Sequence, residues 1–310
     1  MTHRRPAIFF VALIPLLSAA APATLPSTTR SASSQPDSSR FLRFVETGPD
    51  SGRLEAAVRT YRSPDGKVTV HLVSAVHVAD PAYFRRLNDL FRGYDAILYE
   101  MVKPAGSPPP PPGFRSGSSV SMLQRWLKDN LDLDFQLDDI DYTRPNFIHA
   151  DLDVETFERL MDQRGESLTT LLLRAMLRDM TAPEDPNNPP PTIFDLFKAL
   201  SAPDRPRQLK LLLARQFNDV EEKLAALSGS VLLTERNNKA LATLRDAISH
   251  GHKNIAIFYG AGHMDELESR LTRDLGFRPA SVVWLTAWDL SPKPTTRPAT
   301  RTAPGDHVRE

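Results

Sequence analysis

Three side chains that could bind a metal ion each follow or end an apolar, strand-like stretch of this 310-residue chain. They are His77 after KVTVHLVSA (67–75), Glu100 at the end of residues 95–101 and His263 after KNIAIFYG (253–260). Ligands of open α/β sheets bind beyond the carboxyl ends of the strands, so we expect the three side chains at one edge. Two neutral imidazole nitrogens and one carboxylate suit a divalent metal and leave positions open for water.

Each of the three residues also has a purely structural explanation. A histidine at a strand end is commonly a hydrogen-bonded structural residue, and Glu100 could be the partner in a salt bridge. The chain lacks the HExxH spacing of zinc peptidases. His263 has one further feature, because Gly260 and Gly262 allow a tight turn before a predicted helix. A helix N-terminus disfavours a cationic imidazole, so the sequence predicts a neutral His263.

The elements that must position these residues alternate between strand and helix at both ends of the folded region. Residues 67–102 predict a strand, a helix that begins after Asp80 with Pro81, and a second strand. Residues 253–288 repeat this order, and the stretch between, about 119–250, is mostly helical. We therefore predict an α/β fold with a mostly parallel central sheet, built from N- and C-terminal βαβ units with a helical insertion between them.

Three local signals refine this prediction. The turn sequence SPDG at 63–66 predicts a hairpin between residues 54–61 and the strand that follows the turn. Asp153 is placed to cap a helix that begins at residue 154. An apolar stripe at three- and four-residue steps predicts one long amphipathic helix over 208–227.

The two ends of the chain predict processing and disorder rather than folded structure. Residues 1–23 have the basic, apolar and small-residue regions of a secretory signal, and the apolar run is short for a membrane span of about 20 residues. Residues 24–40 and 291–310 are rich in Ser, Thr and Pro and predict a disordered linker and tail, which leaves one domain at 41–290. We predict an exported protein, periplasmic or extracellular, with an uncleaved N-terminal membrane anchor as the alternative.

The composition excludes several classes of partner and chemistry. The formal net charge is +0 and no segment forms a basic stripe, so nucleic acid is not expected as a partner. The chain has no cysteine, which excludes disulfides, thiol catalysis and lipid attachment at a processed cysteine. It has no GxSxG motif, which disfavours covalent catalysis by serine. After removal of the signal, no further segment is long and apolar enough to span a membrane.

Three stretches of the sequence together resemble the TraB/PrgY/GumN and Tiki superfamily. They are VSAVHVADPAYFRRLNDLFRGYDAILYEMV, LLTERNNKAL and IAIFYGAGHMDELESRL, within about 67–290. GAGH (260–263) matches the second GxxH motif of that family, Glu100 its glutamate and Arg236 its arginine. The first motif reads SAVH, with Ser74 where the family has glycine, so the backbone turn there is in question.

The resemblance implies a metal-dependent hydrolase, peptidase-like, because Tiki proteins are described as metal-dependent proteases. His77, Glu100 and His263 would bind a divalent metal ion whose identity is open, and the substrate would be a peptide or small molecule. Arg236 would bind a substrate carboxylate or stabilise an oxyanion. One alternative is a non-catalytic protein that binds haem or a peptide on the same scaffold. Another is a metal-free hydrolase with a histidine as general base.

Four more residues are candidates for supporting contacts around the site. Arg144, His149 and Asp151 lie in DYTRPNFIHADLDVETF (141–157), and Glu235 precedes Arg236 on the same predicted helix. They could orient the ligands without binding the metal themselves. Asp151 has the alternative explanation that it interacts with the N-terminus of the next helix.

Overall fold

The computed structural model describes residues 41–109, 131–167, 170–171, 191–216 and 229–292. The predicted signal and linker and nearly all of the predicted tail lie outside these residues. Within the described ranges, no helix combines the length and the apolar character that a bilayer-crossing segment requires.

The protein has an α/β fold around a mixed seven-stranded sheet, with a separate two-stranded sheet beside it. In chain order the strands are β1 (Leu42–Gly48), β2 (Ser51–Arg62), β3 (Thr69–Ala75), β4 (Val78–Ala79), β5 (Ala96–Tyr99), β6 (Asp134–Phe135), β7 (Phe147–His149), β8 (Asn254–Gly260) and β9 (Arg278–Asp289). The main sheet has the order β1-β2-β3-β8-β5-β7, and β9 also pairs with β2. Strands β4 and β6 form the small sheet.

The direction of β2 makes the main sheet mixed. Strands β3, β8, β5 and β7 are mutually parallel neighbours, whereas β2 pairs antiparallel with β1, β3 and β9. The predicted hairpin of β2 and β3 is confirmed, with Val58 opposite Val73.

The order of the strands departs from two consecutive βαβ units. Strands β3 and β5 are parallel as expected, but β8 lies between them. The last strand does not lie beside β8; it reaches β2 and pairs with it from Arg53 opposite Asp289 to Arg62 opposite Arg278. Strands β2 and β9 each have 12 residues, so each can satisfy the backbone hydrogen bonds of the other along its length.

The described helices lie mostly between the strands of the main sheet in the sequence. They are α1 (Pro81–Phe91), α2 (Gln136–Asp139), α3 (Val154–Arg164), α4 (Ile193–Ser201), α5 (Arg205–Gln216), α6 (Arg236–Ser249) and α7 (Met264–Arg273). Asp153 caps α3 as predicted and accepts a hydrogen bond from the Thr156 N–H. Of the long helix predicted over 208–227, α5 covers the beginning, and residues beyond 216 lie outside the described residues.

The expected cap of α1 is only half right. Asp80 is the N-cap residue and Pro81 follows it, but the carboxylate makes no capping hydrogen bond. It accepts hydrogen bonds from Lys210 Nζ at 2.8 Å and from the Asp289 N–H at 2.6 Å. Asp80 therefore ties α5 and the end of β9 to the start of α1.

Helices cover both faces of the parallel strands, which accounts for the continuous apolar runs in their sequences. On one face α1 packs on the sheet, in a core that includes Val73, Phe84, Leu87, Ala256 and Phe258. On the other face α6 and α7 pack, in a core that includes Leu72, Leu241, Leu244, Ile257 and Leu267. Strands fixed from both sides hold their carboxyl ends in a defined position, and those ends carry the residues of interest.

Candidate functional site

The carboxyl ends of three neighbouring parallel strands bring His77, Glu100 and His263 together. Ala75 of β3 lies opposite Gly260 of β8, and Tyr99 of β5 lies opposite Phe258. Glu100 follows β5 directly, while His77 and His263 lie two and three residues beyond their strands.

Glu100 lies between the two histidines. Its Oε1 atom is 3.6 Å from His263 Nε2, and its Oε2 atom accepts a 2.6 Å hydrogen bond from the Gly260 N–H. A Cβ atom added to Gly260 would lie 3.1 Å from His77 Nε2 and 3.3 Å from Glu100 Oε2. The backbone of Gly260 has φ −54°, which any residue can adopt, so the space is what favours glycine here. The missing side chain leaves a small space bordered by one imidazole nitrogen and one carboxylate oxygen.

Arg236 is completely engaged by residues of the protein. Its Nε and Nη2 atoms donate to the two oxygens of Asp151 at 2.9 and 2.6 Å, and Nη2 also donates to Glu100 Oε1 at 2.7 Å. Its Nη1 atom lies 3.4 Å from His263 Nε2 and 3.5 Å from the Leu232 carbonyl oxygen. Arg236 and Asp151 are 5% and 1% exposed, so this is a buried bidentate ion pair.

The charges of this cluster do not cancel. Among the described residues, Asp151 pairs with Arg236, and Glu100 adds a second carboxylate beside two imidazoles. A buried charge is costly unless a cation, hydrogen bonds or a pKa shift compensates it. The cluster is therefore suited to attract positive charge to the space beside Gly260.

A π-helical turn presents Arg236 to the cluster. Residues Val231–Glu235 form this turn, and Arg236 begins α6 directly after it. The three apolar residues of the turn, Val231, Leu232 and Leu233, pack against Leu152 and Phe157 in a separate small core. Single π turns in proteins are frequent at functional sites, because the wider turn redirects side chains.

Glu100 is ionised and His263 is neutral near pH 7. Burial alone would raise the pKa of Glu100, but the charge of Arg236 and the hydrogen bond from the Gly260 N–H hold that pKa well below its usual range. Burial lowers the pKa of His263 to about 4, with Glu100 opposing the shift and Arg236 adding to it. The sequence predicted a neutral His263 from a helix N-terminus; burial is the larger cause in the structure.

Two amide side chains that the sequence analysis did not single out contact the histidines. Gln136 Oε1 lies 2.9 Å from His77 Nδ1, and Asn237 Oδ1 lies 2.8 Å from His263 Nδ1. Gln136 Nε2 in turn donates to the Tyr142 hydroxyl at 2.7 Å. A signal for Asn237 was present in the sequence, since it adjoins Arg236. Gln136 is 59 residues from His77, and no motif connects the two.

The other candidates from the sequence have different positions. Asp151 joins the cluster through Arg236 and also accepts from the Leu152 N–H, whereas the cap of α3 is Asp153. His149 Nε2 contacts the Met101 carbonyl oxygen at 2.6 Å, next to the cluster rather than in it.

Two of the candidates form surface ion pairs. Arg144 Nε lies 3.8 Å from Asp141, and the Arg144 side chain is 28% exposed. Glu235 pairs with Arg164 and accepts a hydrogen bond from Asn238. Neither arrangement includes the strand-end histidines.

The serine in the first motif is accommodated without disturbing the strand. Strand β3 continues through Ser74 in regular register with β8, opposite Tyr259. Ser74 is 1% exposed, and within the described part of the chain its Oγ atom has no hydrogen-bond partner. Serine therefore fits the regular strand at this position, although its buried hydroxyl is unsatisfied among the described residues.

Among the described residues, no group of three or more His, Cys, Asp or Glu side chains could hold a metal ion as those side chains stand. Both oxygens of Glu100 already accept hydrogen bonds, one from Arg236 and one from Gly260. Comparison of the chain with protein-family models, curated proteins and solved structures gave no match.

Proposed function

We propose that this protein is an exported metal-dependent hydrolase, peptidase-like, that uses His77, Glu100 and His263 to bind a divalent metal ion and cleaves an amide bond. One observation carries the proposal: two imidazoles and an ionised carboxylate meet at the carboxyl ends of three adjacent parallel strands, with one negative charge in excess. That edge of an open α/β sheet is where ligands bind.

The chemistry of the donor set fits a divalent metal such as zinc. Imidazole nitrogen and carboxylate oxygen are both zinc ligands, and a site with three protein ligands keeps a position for water or substrate. The space beside Gly260 is bordered by His77 Nε2 and Glu100 Oε2. Each carboxylate oxygen has two lone pairs, so Glu100 can keep its hydrogen bonds to Arg236 and Gly260 after a small rotation.

A bound divalent ion supplies an activated water at neutral pH and polarises a carbonyl group. The residues around the space hold the proposed ligands in the protonation state and orientation that metal binding requires. Arg236 and the Gly260 N–H hold Glu100 as an ionised carboxylate in one orientation. Burial keeps His263 neutral, which a ligand or a general base requires.

The contacts of Arg236 favour a positioning role over the substrate-binding role that the sequence suggested. Its hydrogen-bond donors face Asp151, Glu100, His263 and a main-chain oxygen. Binding a substrate carboxylate would require breaking the buried pair with Asp151, which costs several kcal/mol. We therefore assign Arg236 to fixing Glu100.

A second candidate function is hydrolysis without a metal, with His263 as the general base. The observation in its favour is that Glu100 has both oxygens hydrogen-bonded and that the described side chains form no ready ligand group. His263 would then take a proton from water, and Glu100 would stabilise the imidazolium that forms.

The finer organisation of the chain stays a prediction from the sequence. We propose that residues 1–23 are a signal that is removed on export, with 24–40 and 291–310 as linker and tail. The segment of about 119–250 then acts as an insertion into the α/β scaffold, and it supplies both Asp151 and Arg236 to the site.

The test is elemental analysis and an absorption spectrum of the full chain, followed by peptide-library hydrolysis with and without added Zn²⁺, Mn²⁺ or Co²⁺. We expect one metal ion per chain and amide hydrolysis that a chelator abolishes. His77→Ala, Glu100→Gln and His263→Ala should each lose the metal, whereas the exposed control Glu158→Gln should keep it.

Each alternative has its own outcome. Hydrolysis that survives the chelator and complete metal removal would replace the proposal with the metal-free mechanism. A haem absorption band without hydrolysis would indicate a ligand-binding protein. Parent-like metal binding by all three ligand variants would show that the cluster is structural.

A further inference from the structure

Two buried amides each contact one histidine of the cluster, through the same atoms. Gln136 and Asn237 are 2% and 0% exposed, and the side-chain oxygen of each faces an imidazole Nδ1. Burying an amide is costly unless its hydrogen bonds are made, and within the described residues the Asn237 Nδ2 atom has no partner. The stability of the fold alone therefore does not account for the Asn237 contact.

The position of the proton on His263 follows from Arg236. The Nη1 atom of Arg236 can only donate, and it lies 3.4 Å from His263 Nε2. Nε2 must therefore be the acceptor, which places the proton of the neutral ring on Nδ1. Asn237 then has to present its oxygen to Nδ1, as it does at 2.8 Å.

A connected chain of contacts favours the same tautomer, with the proton on Nδ1, for His77. The Gln136 main-chain N–H donates to the His77 carbonyl oxygen at 2.9 Å, so Gln136 holds both the backbone and the ring of His77. The Tyr142 hydroxyl accepts from Gln136 Nε2, which orients the amide with its oxygen toward the ring. His77 Nε2 is left facing the space beside Gly260.

We propose that Gln136 and Asn237 are positioning residues that keep both histidines in the Nδ1–H form, so that the Nε2 lone pair of His77 faces the space beside Gly260 and that of His263 faces Arg236 Nη1 until a metal ion takes its place. The effect of this proposal on metal binding rests on the function proposed above. The assignment of the imidazole protons to Nδ1 does not depend on that function. Side chains that orient metal-ligating histidines set both the tautomer and the ring direction. Without the amides, the rings could rotate or exchange tautomers and only part of the population would be ready to bind.

The first experiment observes the tautomers directly in metal-free full-length protein with isotope-labelled histidine, by nitrogen NMR. His77→Gln and His263→Gln variants assign the two resonances. We expect the Nδ1–H tautomer for both rings in the parent. Asn237→Leu should shift His263 to a tautomer mixture, while Asn237→Asp, which keeps the acceptor, should restore the parent signal. In the same way, Gln136→Met should shift His77 to a tautomer mixture, and Gln136→Glu, which keeps the acceptor, should restore the parent signal.

The second experiment titrates Zn²⁺ into the same proteins and measures their thermal melting. Asn237→Leu and Gln136→Met each remove one acceptor from an imidazole N–H, so each should weaken Zn²⁺ binding about 10–100-fold. Tyr142→Phe keeps the Gln136 amide and removes only the hydroxyl that orients it. Its effect on the His77 tautomer and on Zn²⁺ affinity should therefore be smaller than that of Gln136→Met.

The control is Asn146→Leu, which removes an amide that bonds the Phe91 and Tyr94 carbonyl oxygens away from the cluster. It should lower the melting temperature without changing either tautomer or the metal affinity. A loss of stability alone is thereby distinguished from a loss of positioning.

Two results would overturn the proposal: an Nε2–H tautomer for either histidine in the parent, or parent-like tautomers and affinity in both Asn237→Leu and Gln136→Met. The parent spectrum decides the first without any variant, so a variant that fails to fold does not block the test. Tautomers as proposed in a parent that binds no metal would overturn the metal-dependent function and support the positioning role of the amides.

Discussion

Two of the arginine–carboxylate clusters among the described residues differ in burial and in charge. Arg236 contacts both Asp151 and Glu100, and the exposed fractions of these three side chains are 6%, 0% and 12%. Arg59 forms an ion pair with Glu268 at 3.2 Å, with side chains 11% and 23% exposed, and its guanidinium lies over the Phe41 ring. A tyrosine hydroxyl, from Tyr61, donates to the same Glu268 oxygen at 2.5 Å.

We call the Arg236 cluster incomplete because, among the described residues, it has two carboxylates for one arginine, whereas the Arg59 cluster has one of each. The Arg59 cluster lies where β2 meets α7; its two charges cancel, and the tyrosine supplies a further hydrogen bond. The Arg236 cluster lies at the ends of the parallel strands, carries a surplus negative charge and adjoins two imidazoles. The second carboxylate of the Arg236 cluster is the feature on which the proposed metal site rests.

The largest effect should come from removing the buried arginine. Arg236→Met leaves Asp151 and Glu100 buried without their cation, and breaking a buried pair in this way costs about 3–5 kcal/mol of the free energy of unfolding. Arg59→Met removes a more exposed single pair and should cost about 1 kcal/mol. Urea denaturation of both variants measures the two losses. Equal losses would mean that the two arginines contribute equally to the free energy of unfolding, which would contradict the comparison.

The next effect concerns the space in the incomplete cluster. Gly260→Ala places a Cβ atom 3.1 Å from His77 Nε2 and 3.3 Å from Glu100 Oε2, so we expect metal affinity to fall at least about 10-fold. The overpacking should cost about 1–3 kcal/mol of stability. Gly93→Ala is the matched control, because its Cβ would make only an ordinary 3.5 Å contact with the Leu90 carbonyl oxygen. Titration of Zn²⁺ into both variants is the measurement; unchanged affinity in Gly260→Ala would place the metal elsewhere.

A smaller effect tests whether the Arg59 cluster is purely structural. Tyr61→Phe removes the hydrogen bond to Glu268 and should cost about 1 kcal/mol near pH 8, with no change in metal affinity. Burial, and then Glu268, raise the pKa of Tyr61 above its usual value of 10.0.

The raised pKa gives this prediction a pH dependence with a definite sign. Stability that comes from a group with a raised folded-state pKa is fully present below the unfolded pKa and is lost as the pH rises beyond it. The difference in unfolding free energy between the parent and Tyr61→Phe should therefore narrow above about pH 10. The other tyrosines are common to both proteins and cancel. A difference that widens with pH would contradict the assignment.

Much of the positioning could be predicted from the sequence, because strand ends obey a general rule. Apolar runs predict buried parallel strands, and side chains just beyond them meet at one edge, as His77, Glu100 and His263 do. Their metal-binding role stays a prediction. The mixed character of the sheet was harder to foresee, since β9 pairs with β2 from the opposite end of the folded region.

Asp151 was a candidate for a supporting contact from the sequence, but its partner Arg236 could not be predicted, nor could the contact of Gln136, for the same reason. Gln136 reaches His77 and Asp151 reaches Arg236 over 59 and 85 residues, and neither spacing follows any helical or strand period. The pattern of one element says which face is buried, but not which distant polar group will meet a given side chain there. Asn237 is the exception, because it adjoins Arg236 in the sequence.

The smallest effect should come from Glu235, which precedes Arg236 in the sequence but lies outside both clusters. Its side chain is 22% exposed and pairs with Arg164, which is 39% exposed. Surface pairs contribute about 0–1 kcal/mol, so Glu235→Gln should change the unfolding free energy by less than about 1 kcal/mol and leave metal affinity at the parent value. Urea denaturation and Zn²⁺ titration, run beside Arg236→Met, make the comparison. Loss of a side chain that orients a metal ligand weakens metal binding about 10-fold or more. A loss of that size in Glu235→Gln would show that the Arg236 cluster extends onto the π turn. We expect the boundary to lie between these two neighbours, because the side chain of Arg236 points into the protein and that of Glu235 points toward its surface partner.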